Sequence, residues 1–305
     1  MRLRLGRPDI DRYAGQFDVP VADAGELSVT FLGVSTLLLD DGQSAILTDG
    51  YFSRPPLARV ALRRIAPDAQ AIDACLRRAG IDRLEAVLPV HSHFDHALDS
   101  AAVAERTGAL LVGGESTANI GRGHGLPAAR IVVAVPREPV TFGAWTVTLI
   151  ESHHCPPDRY PGTITAPLRP PARAAAYRCG EAWSILVAHT SGRTALVQGS
   201  AGYVGGALAG RAADVAYLGV GQLGLQGADY ITAYWQETVG AVGARRAVLT
   251  HWDDFFRSLD QPLRALPYAG DDLDATLRVL GGLAERDGVP LSFPTVWRRE
   301  NPWSG

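Results

Sequence analysis

The chain has 305 residues, a formal net charge of −3 and 47% hydrophobic residues, with a pI of about 6.2. This composition is ordinary for a soluble globular protein that buries a sizeable core. The acidic pI argues against a nucleic-acid partner, because nucleic-acid-binding domains normally carry a basic stripe. No window reaches the roughly 18 apolar residues of a membrane span. The N-terminus also lacks the apolar stretch of a signal peptide, so we expect a cytoplasmic protein.

The amino-acid types present in the chain exclude some kinds of catalytic and metal site. All 29 basic residues are Arg, which rules out a Schiff-base lysine and the lysine of a phosphate-binding P-loop. The three cysteines, Cys75, Cys155 and Cys179, show no CxxC spacing. They therefore predict neither a disulfide framework nor a thiolate zinc site.

Residues 1–25 are polar and are expected to be irregular. Short β-rich runs over 27–33, 35–40 and 44–49 then predict a meander of strands. The rest of the first half is predicted as a helix over 68–79, a strand over 85–90, a helix over 98–107 and a strand over 109–113.

The second half begins with two hairpins, over 140–152 and 181–199. It continues with a predicted strand over 214–220, a helix over 229–243, a strand over 246–251 and a helix over 271–286. Meanders followed by alternating strands and helices favour the α/β class. We expect an αββα sandwich of two mixed β-sheets with helices on the outer faces, in one domain over 1–305.

The most informative segment is His91-Ser92-His93-Phe94-Asp95-His96, which follows a predicted buried strand. In an extended backbone His91 and His93 point to the same side, since side chains alternate with a period of two. Imidazole and carboxylate groups suit zinc, iron or manganese. The cluster therefore predicts a metal site.

The motif resembles the HxHxDH signature of the metallo-β-lactamase superfamily. Residues 30–56 are similar to the opening strands of that family, which end in an acid that is here Asp49. Residues 250–255 (THWDDF) are similar to its closing segment, with His251 as the last histidine ligand. Within the superfamily the chain most resembles the branch of ascorbate-phosphate lactonases and N-acyl-phosphatidylethanolamine phospholipases.

The resemblance implies two metal positions. It assigns His91, His93 and a third histidine to the first metal, and Asp95, His96 and His251 to the second. Only His153 and His154 fit the third position, and the family's Ser-x-His pattern favours His154. His124, in a Gly-rich loop, and His189, at the end of a hairpin strand, are interpreted as non-ligands.

Several acids are candidate catalytic or supporting residues. Asp95 is a metal ligand or, in a one-metal enzyme, the group that orients or deprotonates water. The resemblance makes Asp49 a residue that orients a ligand imidazole, with a simple turn before Gly50 as the alternative. Asp253 and Asp254 either support His251 or cap the segment that follows it.

The chain departs from the family at Ser200. Most members place a Gly-Asp there, and the carboxylate bridges two metals, but this sequence reads VQGSAGY. A neutral hydroxyl is a weaker ligand than a carboxylate, so the second metal is in doubt.

A competing motif, GxGxxG over 219–224, follows a predicted strand. It would bind a dinucleotide pyrophosphate at a helix N-terminus. The acidic residue expected about twenty positions later is missing. We therefore interpret the motif as a tight turn between a strand and a helix.

The Pro-rich segment 155–171 is a long loop that leaves directly from the third histidine ligand. Long loops in compact domains are usually functional or disordered. We expect a lid or wall over the metal, with a disordered surface excursion as the alternative. Arg159, Tyr160 and Arg169 are its candidate substrate-binding residues.

These features predict a metal-dependent hydrolase that uses metal-bound hydroxide on a small phosphodiester, lactone or other acyl substrate. The expected cofactor is one or two divalent ions, zinc first, with manganese or iron as alternatives. Two other functions stay open: an iron-dependent redox enzyme on the same fold, and a non-catalytic metal- or ligand-binding protein. The sequence leaves the substrate and the oligomeric state open.

Overall fold

The computed structural model describes residues 4–304, which form two facing seven-stranded β-sheets. The first sheet has the strand order β14-β1-β2-β3-β4-β5-β6. Its strands are β1 (Ser28–Phe31), β2 (Leu37–Asp40), β3 (Ala45–Thr48), β4 (Ala86–Leu88), β5 (Leu110–Gly113), β6 (Ile131–Val133) and β14 (Arg299–Glu300). Strands β1 to β3 form the predicted antiparallel meander, and β3 to β6 are parallel.

The second sheet has the order β13-β12-β11-β10-β9-β8-β7. Its strands are β7 (Pro139–Phe142), β8 (Trp145–Ser152), β9 (Ala182–His189), β10 (Thr194–Gln198), β11 (Val215–Gly219), β12 (Arg246–Thr250) and β13 (Leu291–Ser292). The two predicted hairpins pair antiparallel, and β10 to β13 are parallel.

Helices cover the outer face of each sheet. Those beside the first sheet are α1 (Leu57–Leu62), α2 (Ala69–Ala79), α3 (Phe94–Ala97), α4 (Ser100–Thr107) and α5 (Glu115–His124). Those on the second are α6 (Ala228–Trp235), which continues as a π-helical turn over Gln236–Gly240, and α7 (Leu273–Asp287). The structure thus confirms the expected αββα sandwich.

The apolar strands are buried on both faces, which explains their nearly continuous hydrophobic sequences. On β11, Val215 and Tyr217 belong to the core between the sheets. Ala216 and Leu218 belong to the core beneath α6 and α7. Successive side chains of a strand point to opposite faces, so one short strand joins two apolar layers.

The helix predicted over 68–79 is confirmed as α2, and its ends have clear causes. Asp68 accepts hydrogen bonds from the backbone N–H groups of Gln70 and Ala71, the usual role of an N-cap aspartate. Gly80 ends the helix in the left-handed conformation, which glycine adopts without steric cost.

One local interpretation was wrong. The segment GRGHG is not a loop, because helix α5 runs through it and ends at His124. Tertiary packing overrides the low helix propensity of glycine there. A Cβ on Gly121 would lie 2.8 Å from Leu111 Cδ2, so the missing side chain allows α5 to lie close to β5.

The two ends of the described chain meet at the first sheet. Within the segment 1–25, which begins with three residues outside the description, Ile10–Gln16 forms a 3-10 helix. Val21 bridges Glu300 of β14, and β14 pairs with β1. The single domain over 1–305 stays our interpretation. No helix within residues 4–304 has the length and hydrophobicity to cross a membrane.

Candidate metal centre

The candidate site residues lie where strands of both sheets end at the same edge of the sandwich. Each follows the carboxyl end of a strand: Asp49 after β3, His91 after β4, His154 after β8, Ser200 after β10 and His251 after β12. Ligand sites in α/β folds typically lie beyond the carboxyl ends of strands. The five strand ends therefore build one site from distant parts of the chain.

The HxHxDH motif bends from a strand into a helix. His93 has extended backbone angles and is the N-cap of α3. Asp95 and His96 then lie within the single turn of α3. This change of direction lets four side chains, which are all buried, converge: His91, His93, Asp95 and His96.

The first donor group consists of His91, His93 and His154, whose donor atoms lie within 4.8 Å of one another. Their ring centroids are 4.7 to 5.0 Å apart. The Nε2 atom of His91 lies 3.1 Å from Nδ1 of His93. Two nitrogens on one tetrahedral zinc lie roughly 3.3 Å apart, since zinc–nitrogen bonds are about 2.0–2.1 Å. The spacing therefore suits one ion.

Neighbouring oxygens orient two of these rings. The Nε2 atom of His93 lies 3.2 Å from Oδ1 of Asp158 and 3.3 Å from the Tyr160 carbonyl. The Nδ1 atom of His154 lies 2.7 Å from the Cys155 carbonyl. A carbonyl oxygen only accepts hydrogen bonds, so these ring nitrogens carry the proton. The opposite nitrogens, Nδ1 of His93 and Nε2 of His154, are left with a free lone pair.

The second donor group consists of Asp95, His96 and His251. Oδ2 of Asp95 lies 3.8 Å from Nε2 of His96 and 3.5 Å from Nε2 of His251. The ring centroid of His96 is 4.0 Å from that of His91. The two groups are thus adjacent halves of one centre.

Asp49 orients His96. Its Oδ2 accepts a 2.8 Å hydrogen bond from Nδ1 of His96, and its Oδ1 accepts one from the Val90 backbone N–H at 2.9 Å. Such a carboxylate fixes the tautomer of a ligand histidine. Asp49 is fully buried and does not line the cleft. Asp49 therefore contacts the ring of His96 and not the cleft.

The electrostatics favour an ionised Asp95 and neutral imidazoles in the first donor group. Burial lowers the pKa of His91 and His93, and neighbouring imidazoles add to this effect. Burial, together with His93, lowers the pKa of His154 to about 4. Burial alone would raise the pKa of Asp95, but His96 and His251 outweigh it and hold that pKa well below its usual value.

The donor set fits a metal ion. Three buried imidazole nitrogens lack a hydrogen-bond partner within residues 4–304: Nε2 of His96, and Nδ1 of His91 and of His251, whose Nε2 atoms lie beside the other donors. An unsatisfied buried polar atom costs about 1–3 kcal/mol, and a native fold rarely retains several of them without a function. For Nε2 of His96, whose other nitrogen is held by Asp49, a bound cation is the natural partner.

Ser200 lies in the same cleft as both donor groups. Its Oγ accepts a 2.9 Å hydrogen bond from the backbone N–H of Cys155. The hydroxyl is thus already committed to the residue that follows His154. No carboxylate stands at this position to bridge two ions.

The remaining histidines lie apart from the centre. His153 is exposed, whereas the adjacent His154 enters the first donor group. His189 lies 3.1 Å from Asp41, and His124 lies 3.1 Å from Glu105.

The structure distinguishes Asp253 from Asp254. Asp253 forms a fully buried ion pair with Arg54 and accepts the Val34 backbone N–H at 2.9 Å. Asp254 accepts the backbone N–H of Phe256 at 3.3 Å, as expected of a cap for the following turn. Neither carboxylate forms a hydrogen bond to the His251 ring within the described residues.

The glycines of the GxGxxG motif have packing roles. A Cβ on Gly219 would lie 2.5 Å from the Gly199 carbonyl oxygen, and one on Gly224 would lie 2.0 Å from the Asp272 carbonyl oxygen. A Cβ on Gly221 would lie 2.9 Å from Nδ1 of His251. The motif leads into a 3-10 turn over Leu223–Leu225 rather than a helix N-terminus. It therefore accommodates the second donor group and offers no dinucleotide site.

The Pro-rich loop 155–171 contributes Arg159 and Tyr160 to the cleft, but not Arg169. Arg169 is exposed because the far half of the loop is fixed on α5. The side-chain amide of Asn119 donates to the Ile164 carbonyl at 2.7 Å, and the backbone carbonyl of Asn119 accepts the Leu168 N–H at 3.0 Å. The expected substrate contact from Arg169 is wrong.

The donor groups open into a cleft of about 660 Å³. One wall is apolar and comes from α1 and the turn after β12, with Leu57, Val60, Ala61, Phe255 and Phe256. The other carries Arg7, Asp254, Arg264, Leu266 and Pro267. Sequence reasoning missed these residues because they form no local motif, apart from Asp254, which we expected either to support His251 or to cap the segment that follows it.

Comparison with known proteins agrees with this geometry. Residues 29–160 match the sequence profile of the metallo-beta-lactamase superfamily. The matched segment contains the HxHxDH motif and covers less than half of the chain. Over 112 residues it is 29% identical to a UPF0173 metal-dependent hydrolase of Heliobacterium modesticaldum, a match that covers 37% of this chain and 40% of the relative. The match thus spans less than half of that relative's length.

Solved structures share the superfamily fold at low identity. Igni18, a metallo hydrolase from Ignicoccus hospitalis, is 14% identical with a TM-score of 0.51, covering 89% of this chain and 96% of that one. CmlA, a diiron beta-hydroxylase from Streptomyces venezuelae, is 13% identical with a TM-score of 0.55, covering 92% of this chain and 54% of that one. At these identities the likeness concerns the fold alone.

Proposed function

We propose that the protein is a metal-dependent hydrolase of a small phosphodiester, lactone or other acyl substrate. One observation carries the proposal: two adjacent groups of imidazole and carboxylate donors converge at the floor of a single cleft. A divalent ion bound there supplies an acidified water and polarises a carbonyl or phosphoryl oxygen. The hydrolase named in the sequence comparison supports the same reaction class.

The residues have distinct roles in this proposal. His91, His93 and His154 hold the first ion, and Asp95, His96 and His251 hold the second. Zinc fits the imidazole-rich first group best, with manganese or iron as alternatives. Because Ser200 offers no bridging carboxylate, we expect the second position to bind more weakly than the first.

Supporting residues fix the donors. Asp49 holds His96, and Asp158 holds His93, each by a contact to the nitrogen that faces away from the site. Arg159 and Tyr160 line the same cleft as the donors, and we expect them to contact a bound substrate.

The adjacent histidines provide a matched test. His154→Ala should lose bound metal and turnover, whereas His153→Ala, one position away on an exposed side chain, should retain both. Metal content is measured by mass spectrometry on protein purified without added metal, and turnover on phosphodiester, lactone, thioester and β-lactam substrates. Unchanged metal content in His154→Ala would contradict the assignment. Bound iron with visible absorption and no hydrolysis would favour oxygen chemistry instead.

A further inference from the structure

The cleft above the metal donors has two chemically different walls, and this contrast bears on the substrate of the proposed hydrolase. The apolar wall contains Phe255 and Phe256, whose ring centroids lie 4.3 Å apart. Phe94 packs against both, at 6.3 and 6.4 Å. Leu57 and Val60 of α1 line the same cleft as these rings, together with Asp95 and His93. Such a surface binds an aliphatic or aromatic group by removing it from water.

A second group of residues that lines the same cleft carries excess positive charge. Oδ2 of Asp254 accepts hydrogen bonds from Arg7 Nη1 at 3.3 Å and from Arg264 Nε and Nη2 at 3.1 and 2.9 Å. Two guanidinium groups thus share one carboxylate, which leaves a net charge of +1. The Asp254 side chain is only 8% exposed, whereas those of Arg7 and Arg264 are 31% and 42% exposed.

Both arginines retain unused donors. Arg7 Nη1 also bonds the Ala265 carbonyl at 2.8 Å, but Nε and Nη2 of Arg7 and Nη1 of Arg264 form no hydrogen bond within residues 4–304. Guanidinium forks suit carboxylate and phosphate groups. Asp254 therefore holds two arginines in place while leaving them able to bind an external anion.

Each simpler substrate leaves part of this surface unexplained. A small polar anion has no apolar group to pack against Phe255 and Phe256. A neutral apolar ester has no charge to pair with Arg7 and Arg264. We propose, on the basis of the hydrolase function above, that the substrate is an anionic amphiphile. Its scissile group lies at the metal donors, its apolar chain lies along Phe255 and Phe256, and its carboxylate or phosphate binds Arg7 and Arg264.

Three matched probes test the proposal by calorimetric titration, below micellar concentrations: N-decanoylglycine, its neutral amide N-decanoylglycinamide, and N-acetylglycine. The metal-loaded protein should bind N-decanoylglycine at least about tenfold more tightly than either of the others, the range expected for one charge-assisted hydrogen bond. Replacing Phe256 with Ala should weaken both decanoyl probes and leave N-acetylglycine unchanged.

The arginines are tested with the double variant Arg7→Gln/Arg264→Gln. It should lose about tenfold in affinity for N-decanoylglycine and retain its affinity for the amide. Arg245→Gln is the control, because it removes an arginine from an exposed ion pair with Asp214 outside the cleft.

Equal binding of acid and amide, or of decanoyl and acetyl probes, by the wild-type protein would overturn the proposal. An unchanged acid affinity in a folded double variant would do the same. If the double variant unfolds because Asp254 loses its partners, Arg7→Lys/Arg264→Lys keeps the charge and should retain the preference for acid over amide. The titration measures binding and does not depend on turnover. Selective binding of the anionic decanoyl probe without any hydrolytic activity would therefore refute only the proposed function. Hydrolytic activity without this binding selectivity would refute only the proposed substrate class.

Discussion

Replacing Asp253 with Ala should destabilise the protein and loosen the second donor group. Asp253 and Arg54 form an ion pair in which neither side chain is exposed. The other carboxylate oxygen accepts the Val34 N–H, and the Val34 carbonyl accepts the His251 N–H at 2.7 Å. Asp253 therefore fastens the segment that carries His251 to the turn between β1 and β2.

The magnitude follows from the burial. Removing one partner of a buried ion pair leaves an uncompensated charge and costs about 3–5 kcal/mol. With an unfolding entropy of roughly 2.1 cal/mol/K per residue, a chain of 305 residues loses about 1.6 °C in Tm per kcal/mol. Asp253→Ala should therefore lower Tm by roughly 5–8 °C.

Calorimetry in the presence of a chelator measures this effect without any contribution from bound metal. Asp253→Asn keeps an acceptor for the Val34 N–H, so its Tm should lie between those of the wild type and of Asp253→Ala. Asp73→Ala is the control, because Asp73 pairs with Arg106 at the surface, where an ion pair contributes about 0–1 kcal/mol. A Tm of Asp253→Ala within 2 °C of this control, on the scale of roughly 1.6 °C per kcal/mol, would refute the reasoning.

Four further outcomes are expected. Ser200→Asp should raise metal occupancy toward two ions per chain, because it restores a carboxylate between the donor groups; two ions already bound in the wild type, with no gain in the variant, would contradict this. Asp49→Ala should weaken metal binding about 10–100-fold, as measured by competition with a chelator, with unchanged affinity as the contrary result. Gly221→Ala should displace the His251 ring and lower occupancy of the second position, whereas Gly227→Ala, where a Cβ meets nothing within 4 Å, should not. Metal removal should lower Tm, since binding to the folded state alone stabilises it, and an unchanged Tm would indicate an unfilled site.

The part of the site that lies in local patterns was predictable. His91 and His93 alternate after a buried strand, and this alone indicates two ligands on one side of the chain. Ser152 before His154 indicated which of two adjacent histidines enters the first donor group, and the structure brings His154 there. Alternation and strand ends are local properties, so a single sequence carries them.

The cleft walls depend on contacts that no local pattern encodes. Arg7 reaches Asp254 from 247 positions away in the sequence, and Asp158 meets His93 only because the Pro-rich loop folds back over the site. Arg169 lies in the same loop, yet the packing of its far half on α5 turns it away from the cleft. Residue type identified Arg169 and Asp254 as candidates but not Arg7 or Asp158, and only the tertiary fold decides which of these residues share a surface.

A serine at position 200 affects the two donor groups differently. The side chain at this position must accept the backbone N–H of Cys155, and a serine hydroxyl does so at 2.9 Å. The loop that begins beside His154 therefore keeps its anchor when the family's carboxylate is replaced. The missing negative charge affects only ions bound in the centre: the first donor group retains three imidazoles, while the second retains one carboxylate to offset a dication. We therefore expect the substitution to leave the fold and the first position intact and to weaken ion binding at the second.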